Sequence, residues 1–199
     1  DEFEFPDAIR HIQGSSIKAF NLCKQIYGEE EFLESKHHRK EDLLVYFALS
    51  FFNKRREVFS RMPQSLQRDI KQFFGKYSIA RDLGKEVLFS VADIDVIYEA
   101  CIEAHRVLPA SELNGQHDLI FHKDFLGICP LELRVYVGCA IQLYGELEEV
   151  SLIKAHILSG KVSLMVYDDW SKDVPLLTER IKIKMREQDI DFFDYVDEY

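Results

Sequence analysis

The sequence predicts an α+β fold: an N-terminal helical half followed by a small, mainly antiparallel β-sheet with one packed helix. Three observations predict it. Helix start and stop residues recur through residues 1–105, and a two-residue alternation of apolar and polar side chains runs through "RIKIKMR" and both arms of "LIKAHILSGKVSLMVY". Within the strand-rich part, "PLELRVYVGCAIQLYG" opens on Pro130 and closes on Gly145, as a single helix does. Helices first and strands late favour segregated layers over an alternating parallel sheet. At 199 residues with 47% apolar content the chain can bury a core. One domain over 1–199 is expected, with a helical part over 1–105 and a β-rich part over 118–199. The chain opens on Asp1-Glu2-Phe3-Glu4-Phe5 without an initiator methionine, as expected of a piece of a longer polypeptide.

In chain order, "SSIKAFNLCKQIYG" has a serine cap and a glycine stop at Gly28. "RKEDLLVYFALSFFNKR" is apolar nearly all round from Leu43 to Phe52, the mark of a central helix. "PQSLQRDIKQFFG" runs from proline to glycine with a stripe of Leu66, Ile70, Phe73 and Phe74. Two further helices are predicted in "YSIARDLGKEVLF", weakened by Gly84, and in "DIDVIYEACIEAH". "LPASELNGQHD" reads as a turn-rich connection, "LIFHKDF" as a short strand, and "IDFFDYV" as the last strand.

If Ser159-Gly160 is a two-residue turn, Ile157 pairs with Val162, His156 with Ser163, Ala155 with Leu164 and Lys154 with Met165. One face then carries Ile153, Ala155, Ile157, Val162, Leu164 and Val166, and the other Lys154, His156, Lys161, Ser163, Met165 and Tyr167. A one-residue slip would mix the two sets. In "RIKIKMR" the same rule sets Ile181, Ile183 and Met185 against Arg180, Lys182, Lys184 and Arg186. Joined to the hairpin with its apolar side down, this strand adds four cations to a polar face able to hold a phosphate backbone, with Tyr167 available for stacking.

The formal charge of −10 argues against a chain that coats nucleic acid non-specifically. That charge is uneven. Residues 54–86 hold nine cations against four anions, whereas Glu187 to Tyr199 holds six anions and no cation. The longest apolar run, Leu43 to Phe52, is half the roughly 20 residues a membrane span needs, so no membrane partner is expected. Cys23, Cys101, Cys129 and Cys139 form no metal-binding spacing and read as reduced thiols of a cytoplasmic protein. No metal site is expected. No dinucleotide fingerprint, phosphate loop, nucleophile elbow or zinc-protease motif is present. Arg134 and Tyr136, in an otherwise apolar helix, are candidates for an anion site or for a structural ion pair with Asp168 or Asp124. Lys154, His156 and Asp168 are the residue types a metal-dependent phosphodiester-cleaving site would need.

The stretches "RKEDLLVYFAL", "MPQSLQRDIKQFFG", "CPLELRVYVGCA", "LIKAH" and "KVSLMVYDDW" follow one another over nearly the whole chain. Together they resemble the C-terminal region of the DNA phosphorothioation-associated methyltransferase family, found beside DNA sulfur-modification genes and common in cyanobacteria. In that family a Rossmann-like domain that would bind S-adenosylmethionine precedes this region. No glycine-rich strand-turn-helix of that kind occurs here, so no cofactor is expected in this segment and methyl transfer is assigned to none of its residues. The family pattern falls on Arg39, Asp42, His122, Arg134, Tyr136, Gly138, Lys154, His156, Lys161, Ser163, Tyr167 and Asp168. The resemblance implies an accessory domain of a DNA-modification and phage-defence system, with DNA, phosphorothioated or not, as partner. Other proteins of that system are implied as further partners, which a protein-interaction role through the acidic end would serve. The expected DNA-binding set is Lys154, His156, Lys161, Ser163, Tyr167, Arg180, Lys182, Lys184, Arg186, Arg134, Tyr136 and His122.

Overall fold

The computed structural model describes residues 7, 11, 14–54, 57–145 and 147–195. Its order of elements is α1 (Ser16–Tyr27), α2 (Glu29–Phe52), α3 (Gln64–Phe74), α4 (Tyr77–Ser90), α5 (Ile94–Val107), β1 (Ser111–Asn114), β2 (Asp118–His122), α6 (Leu131–Tyr144), β3 (Val150–His156), β4 (Lys161–Tyr167), β5 (Leu177–Lys184) and β6 (Asp189–Asp194). Helices lead and a six-stranded antiparallel sheet follows in the order β1-β2-β3-β4-β5-β6, so the fold is α+β.

The cap residues do what their chemistry predicts. The Ser15 hydroxyl accepts a hydrogen bond from Lys18 N at 3.2 Å to start α1, and the Asp93 carboxylate accepts from Asp95 N at 3.0 Å to start α5. Pro130 precedes α6, and Gly145 ends it at φ 108°, a conformation only glycine adopts without strain. The helix expected from Arg39 begins ten residues earlier, at Glu29. Glu29, Glu30 and Glu31 favour a helix start, and pairs such as His37–Glu41 at 3.1 Å support the solvated turns that follow.

The chain divides into two compact units. The first comprises Asp1–Leu43 with Glu57–Ala80 and buries Leu43, Met62, Ile70, Phe74 and Ala80. In it Arg39 donates from Nε and Nη2 to Oδ2 of Asp69, at 2.9 and 2.6 Å. The second comprises Leu44–Arg56 with Arg81–Tyr199 and contains the whole sheet. The basic stretch 54–86 is thus divided between the two units.

In the second unit, α5 and α6 cover one sheet face. Leu119, Phe121, Ile153, Ala155, Val162, Leu164, Ile181 and Ile183 are buried there against Ile97, Leu133, Tyr136, Val137 and Ala140. Each large side chain among them contributes about 1.5–3 kcal/mol by leaving water. Gly84 brings α4 against α2: a Cβ there would lie 2.4 Å from Cβ of Phe47. Gly138 similarly admits the Leu49 side chain against α6. Cys101, Cys129 and Cys139 are buried, and that burial pushes each thiol up to about 12, so none of them is a nucleophile at neutral pH.

Three sequence expectations are corrected. Ser111–Asn114, read as part of a connection, is the edge strand β1, paired with β2 through Glu112↔Ile120 and Leu113↔Leu119. The strand expected over "LIFHKDF" ends at His122 and continues as a short 3₁₀ turn, Lys123–Ile128. The β3–β4 turn spans four residues, Ile157 to Gly160, and the register is His156↔Lys161, Ala155↔Val162, Lys154↔Ser163 and Ile153↔Leu164. This is two residues from the expected pairing. Because side chains alternate with a period of two, that shift leaves both faces as the sequence divided them.

Candidate nucleic-acid interface

The polar face is built from three rows of side chains that run across the strands. One row is Ile120, Lys154, Ser163, Lys182 and Asp191, and the next is Asn114, Asp118, His156, Lys161, Lys184 and Asp189. The third is His122, Leu152, Met165, Arg180 and Phe193. Lys154, His156, Lys161, Lys182 and Lys184 are all half-buried, whereas Ser163 and Asp118 are nearly covered by their neighbours.

At the centre, His156 Nε2 and the Ser163 hydroxyl lie 3.0 Å apart, diagonal neighbours across β3 and β4. Burial, followed by the positive charge of Lys154, pushes the imidazole down to about 4. Lys182 and Lys161 add to this, and Asp118 opposes it. The ring is therefore neutral at pH 7. Lys154 Nζ lies 3.0 Å from Asp118 Oδ2, and Asn114 donates to Oδ1 of the same carboxylate at 2.9 Å. Burial acts to raise the Asp118 carboxyl, but the hydrogen bonds from Asn114 and Lys154 outweigh it and hold the group below its ordinary value.

These shifts set a pH dependence. The folded protein binds a proton at His156 only near pH 4, while the unfolded chain binds it near 6.5, so the unfolded state holds more protons between those values. Stability is full above pH 6.5 and falls as the pH drops through this window. Asp118, whose carboxyl is depressed, contributes stability above the ordinary carboxylate range that is lost only at lower pH. Replacing His156 with glutamine is expected to flatten the loss between pH 6.5 and 4 by on the order of 2 kcal/mol, after allowance for the exposed part of the ring. Urea unfolding midpoints at pH 7 and pH 4.5 measure it.

The remaining candidates separate. Lys161 and Lys182 stand on the polar face and form no ion pair among the described residues. Lys184 stands there too but is held by Asp191 at 2.7 Å and Asp189 at 3.1 Å, so the acidic C-terminal stretch neutralises it. Residues 196–199 of that stretch lie outside the described residues. Arg180 stacks its guanidinium 4.4 Å from the centre of the Phe193 ring. Tyr167 packs against Trp170, with ring centres 5.2 Å apart, and Trp170 against His122 at 5.6 Å. His122 Nδ1 also accepts from Asp124 N at 3.3 Å, capping the turn that follows β2.

Three members of the expected DNA-binding set, Arg186, Tyr136 and Arg134, are elsewhere, and so is the catalytic candidate Asp168. Arg186 is not the fourth cation of the polar face. It follows β5 in a turn, where Cβ on Gly160 would come 3.1 Å from its Nε, and lines a cavity of about 300 Å³ with Ile97, Tyr136 and Met185. Tyr136 lies on the covered side of the sheet, where its hydroxyl donates to His156 O at 2.6 Å and contacts Lys161 O at 3.2 Å, clamping the base of the hairpin turn. Arg134 is on the same helix, close enough to the Cys129 thiol to oppose part of the effect of its burial. Asp168 accepts from Lys172 Nζ at 2.5 Å and from the backbone N–H groups of Asp169 and Leu176, contacts that pull its carboxyl down to about 2. It organises the β4–β5 connection.

Asp168 is five residues along the chain from Ser163, about 16 Å at strand rise, so it does not meet His156 and Lys154 in one catalytic cluster. Ser163 is 2% exposed, and the nearby carboxylate of Asp118 is committed to Lys154 and Asn114, so the His156–Ser163 pair lacks both access and an orienting acid. Among the described residues no group of three or more His, Cys, Asp or Glu side chains is placed to hold a metal ion, and no helix is long and apolar enough to cross a membrane. Sequence reasoning missed Asp118, Trp170 and the Arg180–Phe193 pair. The only signal for Trp170 was its position three residues after Tyr167, and nothing local announced the other two. Comparison of the chain with protein-family models, curated proteins and solved structures finds no match.

Proposed function

We propose that the polar sheet face docks the phosphate backbone of DNA and that the chain is a non-catalytic accessory domain of a cytoplasmic DNA-modification and defence system. The observation that carries this reading is the pair of lysines, Lys161 directly opposite His156 and Lys182 directly opposite Ser163, both beside the neutral His156–Ser163 centre and without an anionic partner among the described residues. Two half-buried ammonium groups held on a rigid sheet can meet successive phosphates and release their counterions. Lys154 is a weaker contributor because Asp118 already holds it. The family resemblance supplies the context: a methyltransferase domain using S-adenosylmethionine elsewhere in the longer protein, other phosphorothioation proteins as partners, and DNA with or without backbone sulfur as ligand.

Fluorescence anisotropy with labelled oligonucleotides, carrying ordinary or phosphorothioate linkages, tests it. Binding at 50 mM salt that weakens steeply by 200 mM is the expected result. Failure to bind either backbone at 50 mM would overturn it.

A further inference from the structure

The third row of the polar face differs from the other two. It carries rings and a stacked guanidinium where they carry ammonium groups and carboxylates. Trp170 is 46% exposed although its ring touches two others, Tyr167 and His122. Those contacts fix the indole without covering it. A tryptophan that merely filled a gap would be buried, whereas one propped at the surface by two rings presents a flat apolar surface at little entropic cost. Trp170 meets the row at His122 from the β4–β5 connection, and on the row itself Arg180 is stacked on Phe193; its buried Nε has no hydrogen-bond partner among the described residues, so the ring contact is what the structure shows holding its plane.

The stacked guanidinium adjoins the cations. Lys182 is two residues from Arg180 on β5, about 7 Å along the strand and on the same face. A ligand spanning both rows needs regularly spaced negative charges and accessible aromatic faces. Duplex DNA offers the charges but hides its base faces in the stack, whereas a single strand exposes both.

We propose that the polar face selects single-stranded DNA, stacking an unpaired base on Trp170 while Lys182 and Lys161 hold phosphates several nucleotides farther along the strand. The inference rests on the reading of this face as a DNA-binding surface and adds the form of DNA it takes. The stacking contact tolerates any base, because every base has a π face, so little sequence preference accompanies it.

Anisotropy titrations at one ionic strength with a 12-nucleotide single strand, the same sequence as a blunt duplex, and a single strand lacking bases test it. The intact single strand is expected to bind at least about tenfold more tightly than the other two. Trp170→Ala is expected to remove that advantage, and Trp170→Phe to restore part of it. Lys182→Ala weakens binding to all three alike. Equal affinity for all three ligands, unchanged by Trp170→Ala, would overturn single-strand selection while leaving DNA binding standing. Failure of every ligand to bind would overturn both. A Trp170→Ala protein that retains the wild-type circular dichroism spectrum confirms that any loss comes from the missing ring.

Discussion

Replacing Gly84 with alanine destabilises the sheet-containing unit by about 2 kcal/mol, although alanine is the better helix former. The substitution gains up to about 1 kcal/mol of helix propensity in α4. Against this, the new methyl group would stand 2.4 Å from Phe47 Cβ, with the backbone of Phe47 and Ala48 at 3.2 and 3.1 Å. No rotamer change relieves a contact with backbone and Cβ, so the helices must move apart and the side chains packed around them, such as Val45, Leu49 and Val87, loosen. Overpacking of this kind costs about 1–3 kcal/mol and occasionally more, which outweighs the propensity. The single tryptophan, Trp170, lies in the same unit and reports its unfolding in urea. Gly127→Ala, where a Cβ meets nothing within 4 Å, is the matched control and should shift the midpoint little.

Reversing the charge of Lys161 and Lys182 together, as Lys161→Glu with Lys182→Glu, abolishes measurable DNA binding at 150 mM salt and leaves folding intact. Both side chains are half-buried on the polar face and form no ion pair among the described residues, so no native pairing is lost. The milder pair Lys161→Ala with Lys182→Ala is more diagnostic. Each phosphate contact to a single strand contributes about 0.7 to the slope of log affinity against log salt, so losing two flattens that slope by about 1.4. Lys184→Ala changes it much less, because Asp189 and Asp191 already neutralise that lysine.

Much of the fold was legible because local chemistry and global packing agree. Ser15, Asp93, Pro130 and Gly145 mark helix ends by hydrogen bonding or backbone geometry that needs no tertiary contact. The alternation in β3, β4 and β5 divided the sheet into its two faces. Register was not legible. A shift of two residues preserves the faces, so hydrophobic pattern alone cannot choose between a two-residue and a four-residue turn. β1 was hidden because "SELN" is a short edge strand with a single apolar residue, Leu113, too few to show an alternation.

The candidate site was legible as a set of positions but not as a distribution of charge. The alternation placed Lys154, His156, Lys161, Ser163, Arg180, Lys182 and Lys184 on one face, as the structure does. It could not show that Asp118 crosses from β2 to hold Lys154, or that β6 turns back to bring Asp189 and Asp191 over Lys184. The first pairing joins segments 36 residues apart, and the second depends on the register of the β5–β6 hairpin, which alternation does not set. They change the surface from a uniformly basic face to a narrow track, Lys161 and Lys182 beside a neutral histidine, with rings at one end. Arg186 was misplaced for a related reason: β5 ends at Lys184, and beyond the last paired residue alternation no longer governs where a side chain goes.

Mapping the footprint of a bound oligonucleotide by amide chemical-shift changes in an isotope-labelled sample tests the central claim most directly. Perturbations concentrated on Lys154, His156, Lys161, Ser163 and Lys182, continuing to Arg180 and Trp170, are the predicted result. A footprint confined to α5 and α6, or to the first unit, with these residues unmoved at saturation, would contradict it.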